Sequence, residues 1–91
     1  LLGVIRSLAI DLGESGIQVN AVAPGPIDTP MTRENLSAPE LKRLVSETPI
    51  KRLVTLDEVV NTLCAFVTGQ MSGISGQEII IDGGWGVSKL V

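Results

Sequence analysis

The sequence predicts an α/β fold: the C-terminal portion of a doubly wound parallel sheet, with two strands and three to four helices. Three observations carry that expectation. Two short apolar runs, residues 17–23 and 77–82, are separated by a long stretch with helical spacing and capping signals. The apolar content is high, 44%, yet the only aromatics are Phe66 and Trp85 and there is no tyrosine. A core of Val, Ile, Leu and Ala suits a parallel sheet covered by helices. Finally, 91 residues make at most one small domain. A strand, a helical crossover and a second strand form a right-handed unit with the strands parallel. Two strands leave open edges and uncovered faces, so residues 1–91 are expected to form the last third or so of a larger domain.

Residues 1–15 read as a helix. Leu1, Ile5, Leu8 and Leu12 recur at i, i+4, i+7 and i+11, with Ala9 beside them, while Arg6, Ser7, Asp11 and Glu14 lie elsewhere on the wheel. Gly16 is placed to end that helix in a left-handed conformation. Residues 17–23 are expected as a buried strand, followed by a turn over 24–30. Thr29 is a good N-cap and Pro30 suits the first helical position. Ser37-Ala38-Pro39-Glu40 is a capping-box pattern ahead of Leu41, Leu44 and Val45, and Pro49 breaks that helix. Thr55-Leu56-Asp57-Glu58 is a second box. It opens a helix with Val59, Leu63 and Phe66 on one stripe and Val60 and Val67 next to it. Residues 69–76, with three glycines and two serines, read as a loop. Residues 77–82 form the last strand, Gly83-Gly84 ends it, and a seven-residue tail follows.

The turn Pro24-Gly25-Pro26-Ile27-Asp28-Thr29-Pro30 is the candidate site. A strand running through a tight turn into a helix N-terminus places backbone donors at the carboxyl edge of a parallel sheet, where such folds bind nucleotides. The two prolines remove conformational freedom, and Gly25 lets the backbone approach a neighbour closely. Taken by itself, the turn is better accounted for as a connector, with Thr29 only a cap.

Other chemistries are narrowed by composition. The net charge is −3 and basic residues are scattered, which gives no stripe for nucleic acid. With no histidine and a single cysteine, Cys64, the chain offers neither a zinc set nor a Ser-His-Asp triad, and no metal ligands are assigned. Asp57 and Glu58 are expected as helix-dipole partners rather than an acid–base pair. Cys64 is expected as a small buried or interface hydrophobe, and its solitude fits a reducing, cytoplasmic setting. Trp85 is open to two roles, anchoring the tail on a neighbouring subunit or packing in its own chain. No apolar run approaches the roughly 18 residues that span a bilayer.

Ordered blocks extend the turn in both directions. Gly3-Val4-Ile5-Arg6-Ser7-Leu8-Ala9, Gly16-Ile17-Gln18-Val19-Asn20-Ala21-Val22-Ala23-Pro24-Gly25, Ile27-Asp28-Thr29, Ile74-Ser75-Gly76-Gln77 and Ile81-Asp82-Gly83-Gly84 resemble the C-terminal part of a short-chain dehydrogenase/reductase. The resemblance covers essentially the whole chain and implies a Rossmann-like sheet. It also implies that Pro24, Gly25 and Ile27 hold the nicotinamide end of NAD or NADP, Ile27 through its backbone. By the same resemblance Thr29 bonds the carboxamide or phosphate, and residues 31–50 form a variable substrate lid. The implied activity is interconversion of a secondary alcohol and a ketone, as in a 3-oxoacyl reductase or a sugar or polyol dehydrogenase. The implied partners are a small-molecule substrate and further copies of the chain, as a dimer or tetramer, or else an N-terminal half.

Departures and absences qualify the resemblance. Val54 and Leu56 stand where the family usually has Gly and Pro, and Ser75 stands where Thr is commoner. The Tyr-x-x-x-Lys pair, its upstream serine and the glycine-rich phosphate loop have no counterpart: Lys42, Lys51 and Lys89 occur in other contexts. Gly69-Gln70-Met71-Ser72-Gly73 follows a helix, and Gly83-Gly84-Trp85-Gly86 leaves too few residues for a phosphate-facing helix. No catalytic residue is therefore assigned, and the 91 residues alone are expected to be inactive. The residue that separates NAD from NADP belongs to an earlier strand. The rival expectation is a non-catalytic product acting at most as an oligomerisation module.

Overall fold

The structure, a computed structural model, describes residues 1–89; Leu90 and Val91, the end of the expected tail, lie outside the described residues. Among the described residues there are four strands, β1 (Ala21–Pro24), β2 (Ile27–Asp28), β3 (Val54–Thr55) and β4 (Glu78–Ile81), and five α-helices. The helices are α1 (Leu2–Leu12), α2 (Pro30–Asn35), α3 (Ala38–Glu47), α4 (Leu56–Val67) and α5 (Trp85–Ser88). The chain is α/β with parallel strands, as predicted. β1 lies beside β4, and β2 beside β3. The expected count of two strands and three to four helices is exceeded. β2 and β3 are two residues each, too short to show a strand's alternation, and α5 is a single turn. The chain divides into two compact units, Leu1–Ala23 with Asn61–Ile80 and Pro24–Val60 with Ile81–Val91.

In the first unit, α1 tightens into a 3₁₀ turn over Gly13–Ser15. Gly16 ends it at φ 75°, ψ 21°, the left-handed conformation expected of it, and its N–H donates to the Gly13 carbonyl at 3.0 Å. The predicted strand over 17–23 is corrected: only residues from Ala21 onward are extended as a ladder. Its first half is tied by side chains instead. The Gln18 amide nitrogen donates to the carbonyls of Met71, Ser72 and Ile74. The Val19 N–H donates to Ser75 Oγ at 3.2 Å, and the Gly76 N–H returns to the Val19 carbonyl at 2.7 Å. Asn20 donates to the Ile74 carbonyl at 2.9 Å and accepts from the Gln77 N–H at 3.1 Å. Two polar side chains thus satisfy the backbone of the glycine-rich loop where a ladder was expected.

The second unit is built on local signals. β2 and β3 are parallel, with Ile27 opposite Val54 and Asp28 opposite Thr55. Ser37 caps α3, its Oγ accepting the Glu40 N–H at 3.2 Å. Thr55 and Glu58 make a reciprocal box: the Glu58 N–H donates to Thr55 Oγ1 at 3.2 Å, and the Thr55 N–H to Glu58 Oε1 at 2.8 Å. The buried residues are Thr48, Leu53, Val54 and Val59.

Candidate functional site

The turn lies wholly within the second unit. The Gly25 N–H donates to the Ile81 carbonyl at 2.9 Å. A Cβ on Gly25 would fall 2.9 Å from Asp82 Cβ and 3.3 Å from Asp82 Cα. Close approach does explain this glycine, but the neighbour it meets is the residue after β4. Asp82 is itself fixed. Its Oδ1 accepts the Gly84 N–H and its Oδ2 the Gly86 N–H, each at 2.9 Å, which sets the start of α5.

Beyond Pro26, Ile27 is half-buried and opposite Val54. Asp28 faces outward and meets Arg33 in a two-pronged ion pair, Nε to Oδ1 at 2.7 Å and Nη2 to Oδ2 at 3.1 Å. The guanidinium holds the Asp28 carboxyl below its ordinary value, so it is ionised at neutral pH and offers no proton. Thr29 caps α2 in extended backbone, φ −132°, ψ 159°. Its Oγ1 accepts the Thr32 N–H at 3.2 Å and donates to Thr32 Oγ1 at 3.1 Å. A hydroxyl has two acceptor lone pairs, so one remains beyond those two bonds.

Pro24, Gly25, Ile27 and Thr29 therefore share one braced turn. Sequence reasoning missed what braces it: Asp82, Arg33 and the β2–β3 pairing. Asp82-Gly83-Gly84 carried a usable signal, since an aspartate before glycines commonly accepts N–H groups two residues on. Asp57 and Glu58 do lie in the first turn of α4. Glu58 is further engaged by Arg52, whose guanidinium, with the Thr55 N–H, holds its carboxyl down to about 2. Trp85 makes its contact in its own chain, Nε1 donating to Glu47 Oε2 at 3.4 Å. Cys64 is exposed on α4 rather than buried. Among the described residues no three His, Cys, Asp or Glu side chains are grouped to hold a metal ion. No helix among them is long and apolar enough to cross a membrane.

Parallel strands, helices and a braced strand–turn–helix at a strand's carboxyl end define the class as doubly wound α/β. Comparison with known proteins carries this further. A family model described as Enoyl-(Acyl carrier protein) reductase matches residues 1–86. The chain is 40% identical over 84 residues to a 3-oxoacyl-[acyl-carrier-protein] reductase, FabG, of Buchnera aphidicola, covering 92% of this chain and 34% of that protein. It is 36% identical over 90 residues to dehydrogenase/reductase SDR family member 6 of Danio rerio, covering 93% of this chain and 37% of that protein. A solved structure of 4-hydroxyisoleucine dehydrogenase complexed with NADH superposes with a TM-score of 0.85 at 25% identity, over 94% of this chain and 36% of that one. The chain belongs to the short-chain dehydrogenase/reductase family. It spans about a third of the length of the curated relatives it matches.

Proposed function

We propose that the chain is the C-terminal part of an NAD(P)-dependent oxidoreductase that interconverts a secondary alcohol and a ketone. In this reading residues 1–91 are one portion of a single cofactor-binding domain. The turn lies at the nicotinamide, residues 31–50 form the substrate lid, and α4 with β4 offers a surface to further copies of the chain. The observation that carries the reading is the bracing of the Pro24–Thr29 turn, together with the spare lone pair of Thr29. A nicotinamide carboxamide presents an N–H₂ donor, and Thr29 Oγ1 has one acceptor site left while it still caps α2. Pro24, Gly25 and Ile27 supply a stiff backbone beside it. The cofactor supplies the hydride chemistry; these residues orient its ring and do not move a proton. Relatives named as reductases and dehydrogenases, and a neighbour solved with NADH, support the same class. The substrate is proposed as a 3-oxoacyl thioester or, alternatively, a sugar or polyol ketone.

The test uses the full-length protein. NAD(P)H oxidation with 3-oxoacyl thioesters and with sugar ketones identifies activity and substrate class, and no turnover with either would sink the reading. Thr29→Ala should weaken cofactor binding by about 0.5–1.5 kcal/mol, the net size of one hydrogen bond, while Thr29→Ser should bind like the parent. Equal affinity for all three proteins would leave the turn a connector. Residues 1–91 alone should show no turnover, since loss of a general acid–base alone costs about 10²–10⁴-fold.

A second reading, an oligomerisation module without catalysis, is favoured by one observation. Val60, Leu63 and Val67 form an exposed apolar stripe along α4. Sedimentation of the 91 residues at low micromolar concentration tests it: association without any activity of the full-length protein favours the module.

A further inference from the structure

The carboxylate of Glu47, the last residue of α3, collects donors from three side chains. Its Oε2 accepts from Lys89 Nζ at 2.9 Å and from Trp85 Nε1 at 3.4 Å, and its Oε1 accepts from Arg43 Nε at 3.2 Å. Its backbone carbonyl, one of the helix-end carbonyls that lack an intrahelical partner, lies 3.2 Å from the Ser88 hydroxyl, which shares its one proton with the nearer Trp85 carbonyl at 2.7 Å. Lys89 also lies over the Trp85 ring, 5.0 Å from its centre. Three of these contacts come from α5 and the residue that follows it.

The residues just past Glu47 continue the fastening. Thr48 is buried, and its hydroxyl donates to the Leu44 carbonyl at 2.8 Å. The Ile50 N–H donates to the Gly83 carbonyl at 3.3 Å. Gly83 has φ 66°, and a Cβ there would lie 2.7 Å from Ile50 Cγ1. The C-terminal end of α3 and residues 82–89 are therefore one cross-braced corner. At the other end of residues 31–50, α2 itself starts on local contacts, the Thr29 cap and the Asp28–Arg33 pair, while the ladder to β3 stops at Asp28. Between the two ends, Leu36 and Ser37 are extended, at ψ 134° and 161°, and separate α2 from α3. Such a joint absorbs backbone rotation without breaking helical bonds.

We propose that α5 and Lys89 are a latch on the lid: they grip Glu47, keep α3 seated and confine lid movement to α2 and the Leu36–Ser37 joint. The proposal rests on reading residues 31–50 as the substrate lid. Loosening the latch frees α3, and so widens access to whatever the lid covers.

Hydrogen exchange of the full-length protein tests this without cofactor or turnover. Glu47→Gln and Lys89→Met should each speed exchange across residues 38–47 by about threefold or more, the scale of one ion pair lost from a network, and leave residues 2–12 unchanged. Lys89→Arg, which keeps the cation, should protect residues 38–47 like the parent. Lys89→Met keeps the test decisive should Glu47→Gln fold poorly. Unchanged exchange in both Glu47→Gln and Lys89→Met overturns the latch, as does an equal rise over residues 2–12, which reports general loosening. Turnover with NAD(P)H but no change in exchange sinks the latch alone. Altered exchange in a protein that turns over nothing keeps the grip of α5 and Lys89 on α3 and sinks the oxidoreductase reading.

Discussion

The two units differ in how they finish their own structure. The second, Pro24–Val60 with Ile81–Val91, holds all of the buried residues found: Thr48, Leu53, Val54 and Val59. It also holds the four ion pairs among the described residues, Asp28–Arg33, Arg43–Glu47, Arg52–Glu58 and Glu47–Lys89. The first, Leu1–Ala23 with Asn61–Ile80, has no buried residue and no ion pair among its described residues. It exposes Leu1, Val4, Ile10, Val67 and Ile80 by more than half of their surface. A groove of about 340 Å³ runs between Gln18, Asn20 and Val22 and Leu63, Phe66 and Val67. The second unit also exposes Met31, Leu56 and Val87 by more than half, but caps, boxes and ion pairs tie it from within around its buried residues. The first leaves its apolar surface open, and the curated relatives are about three times as long as this chain.

The largest expected effect comes from setting one apolar substitution in each unit side by side. Leu53→Ala removes a buried side chain, 6% exposed, and should cost about 2–4 kcal/mol. Ile80→Ala, at 63% exposure, should cost less than about 1 kcal/mol. Denaturant melts at two protein concentrations check both. If Ile80→Ala proves the costlier, and more so at high concentration, the first unit is covered by another copy of the chain, and the contrast between units becomes a contrast between interface and interior.

Glycines provide a second, smaller contrast. Gly25→Ala places a methyl 2.9 Å from Asp82 Cβ and should cost about 1–3 kcal/mol by overpacking. Gly3 sits inside α1 with nothing within 4 Å of its missing Cβ. Gly3→Ala should stabilise by about 0.5–1 kcal/mol through helix propensity alone. Opposite signs in the same melting assay support the division. A neutral Gly25→Ala would show that the turn is not braced on Asp82.

The division also explains which parts were legible in the sequence. The second unit's helix starts were readable because a capping box is written in four consecutive residues: Ser37 with Glu40 and Thr55 with Glu58 both do what their spacing announces. Thr29 and Pro30 were readable for the same reason. What stayed hidden is pairing over distance. β2 and β3 lie 27 positions apart and are too short to alternate, so only the fold shows Ile27 beside Val54. Glu47 gave no hint of Lys89, 42 residues on. In the first unit, the apolar run over 17–23 suggested one strand. Gln18 and Asn20 were the contrary signal, since amide side chains can satisfy a facing loop as readily as a ladder can. The span read as one turn, 24–30, holds the end of β1 and all of β2, and the partner of Gly25 was hidden because Asp82 is 57 residues away.

The smallest effect is one of pH, and it belongs to the second unit. Glu58 is held down to about 2 by Arg52 and the Thr55 N–H, and Glu47 to about 2 by Lys89, Arg43 and Trp85, against an ordinary value of 4.5. A depressed carboxyl stabilises the folded form above its unfolded value and loses that contribution as pH falls through its folded value. Stability from these two groups is therefore complete above about pH 4.5 and declines between there and about pH 2. Both side chains are partly exposed, so salt should shrink the decline. Amide exchange followed through acid titration resolves where the loss occurs. Residues 38–47 and 55–58 should lose protection in this window ahead of residues 2–12. Glu58→Gln should flatten the response at 55–58 and leave that at 38–47, because different groups hold the two carboxyls down, Arg52 and Thr55 for one and Lys89, Arg43 and Trp85 for the other. If residues 2–12 open first, the first unit is the weaker one in acid even without ion pairs of its own, and the local chemistry of Glu47 and Glu58 does not set the order of unfolding.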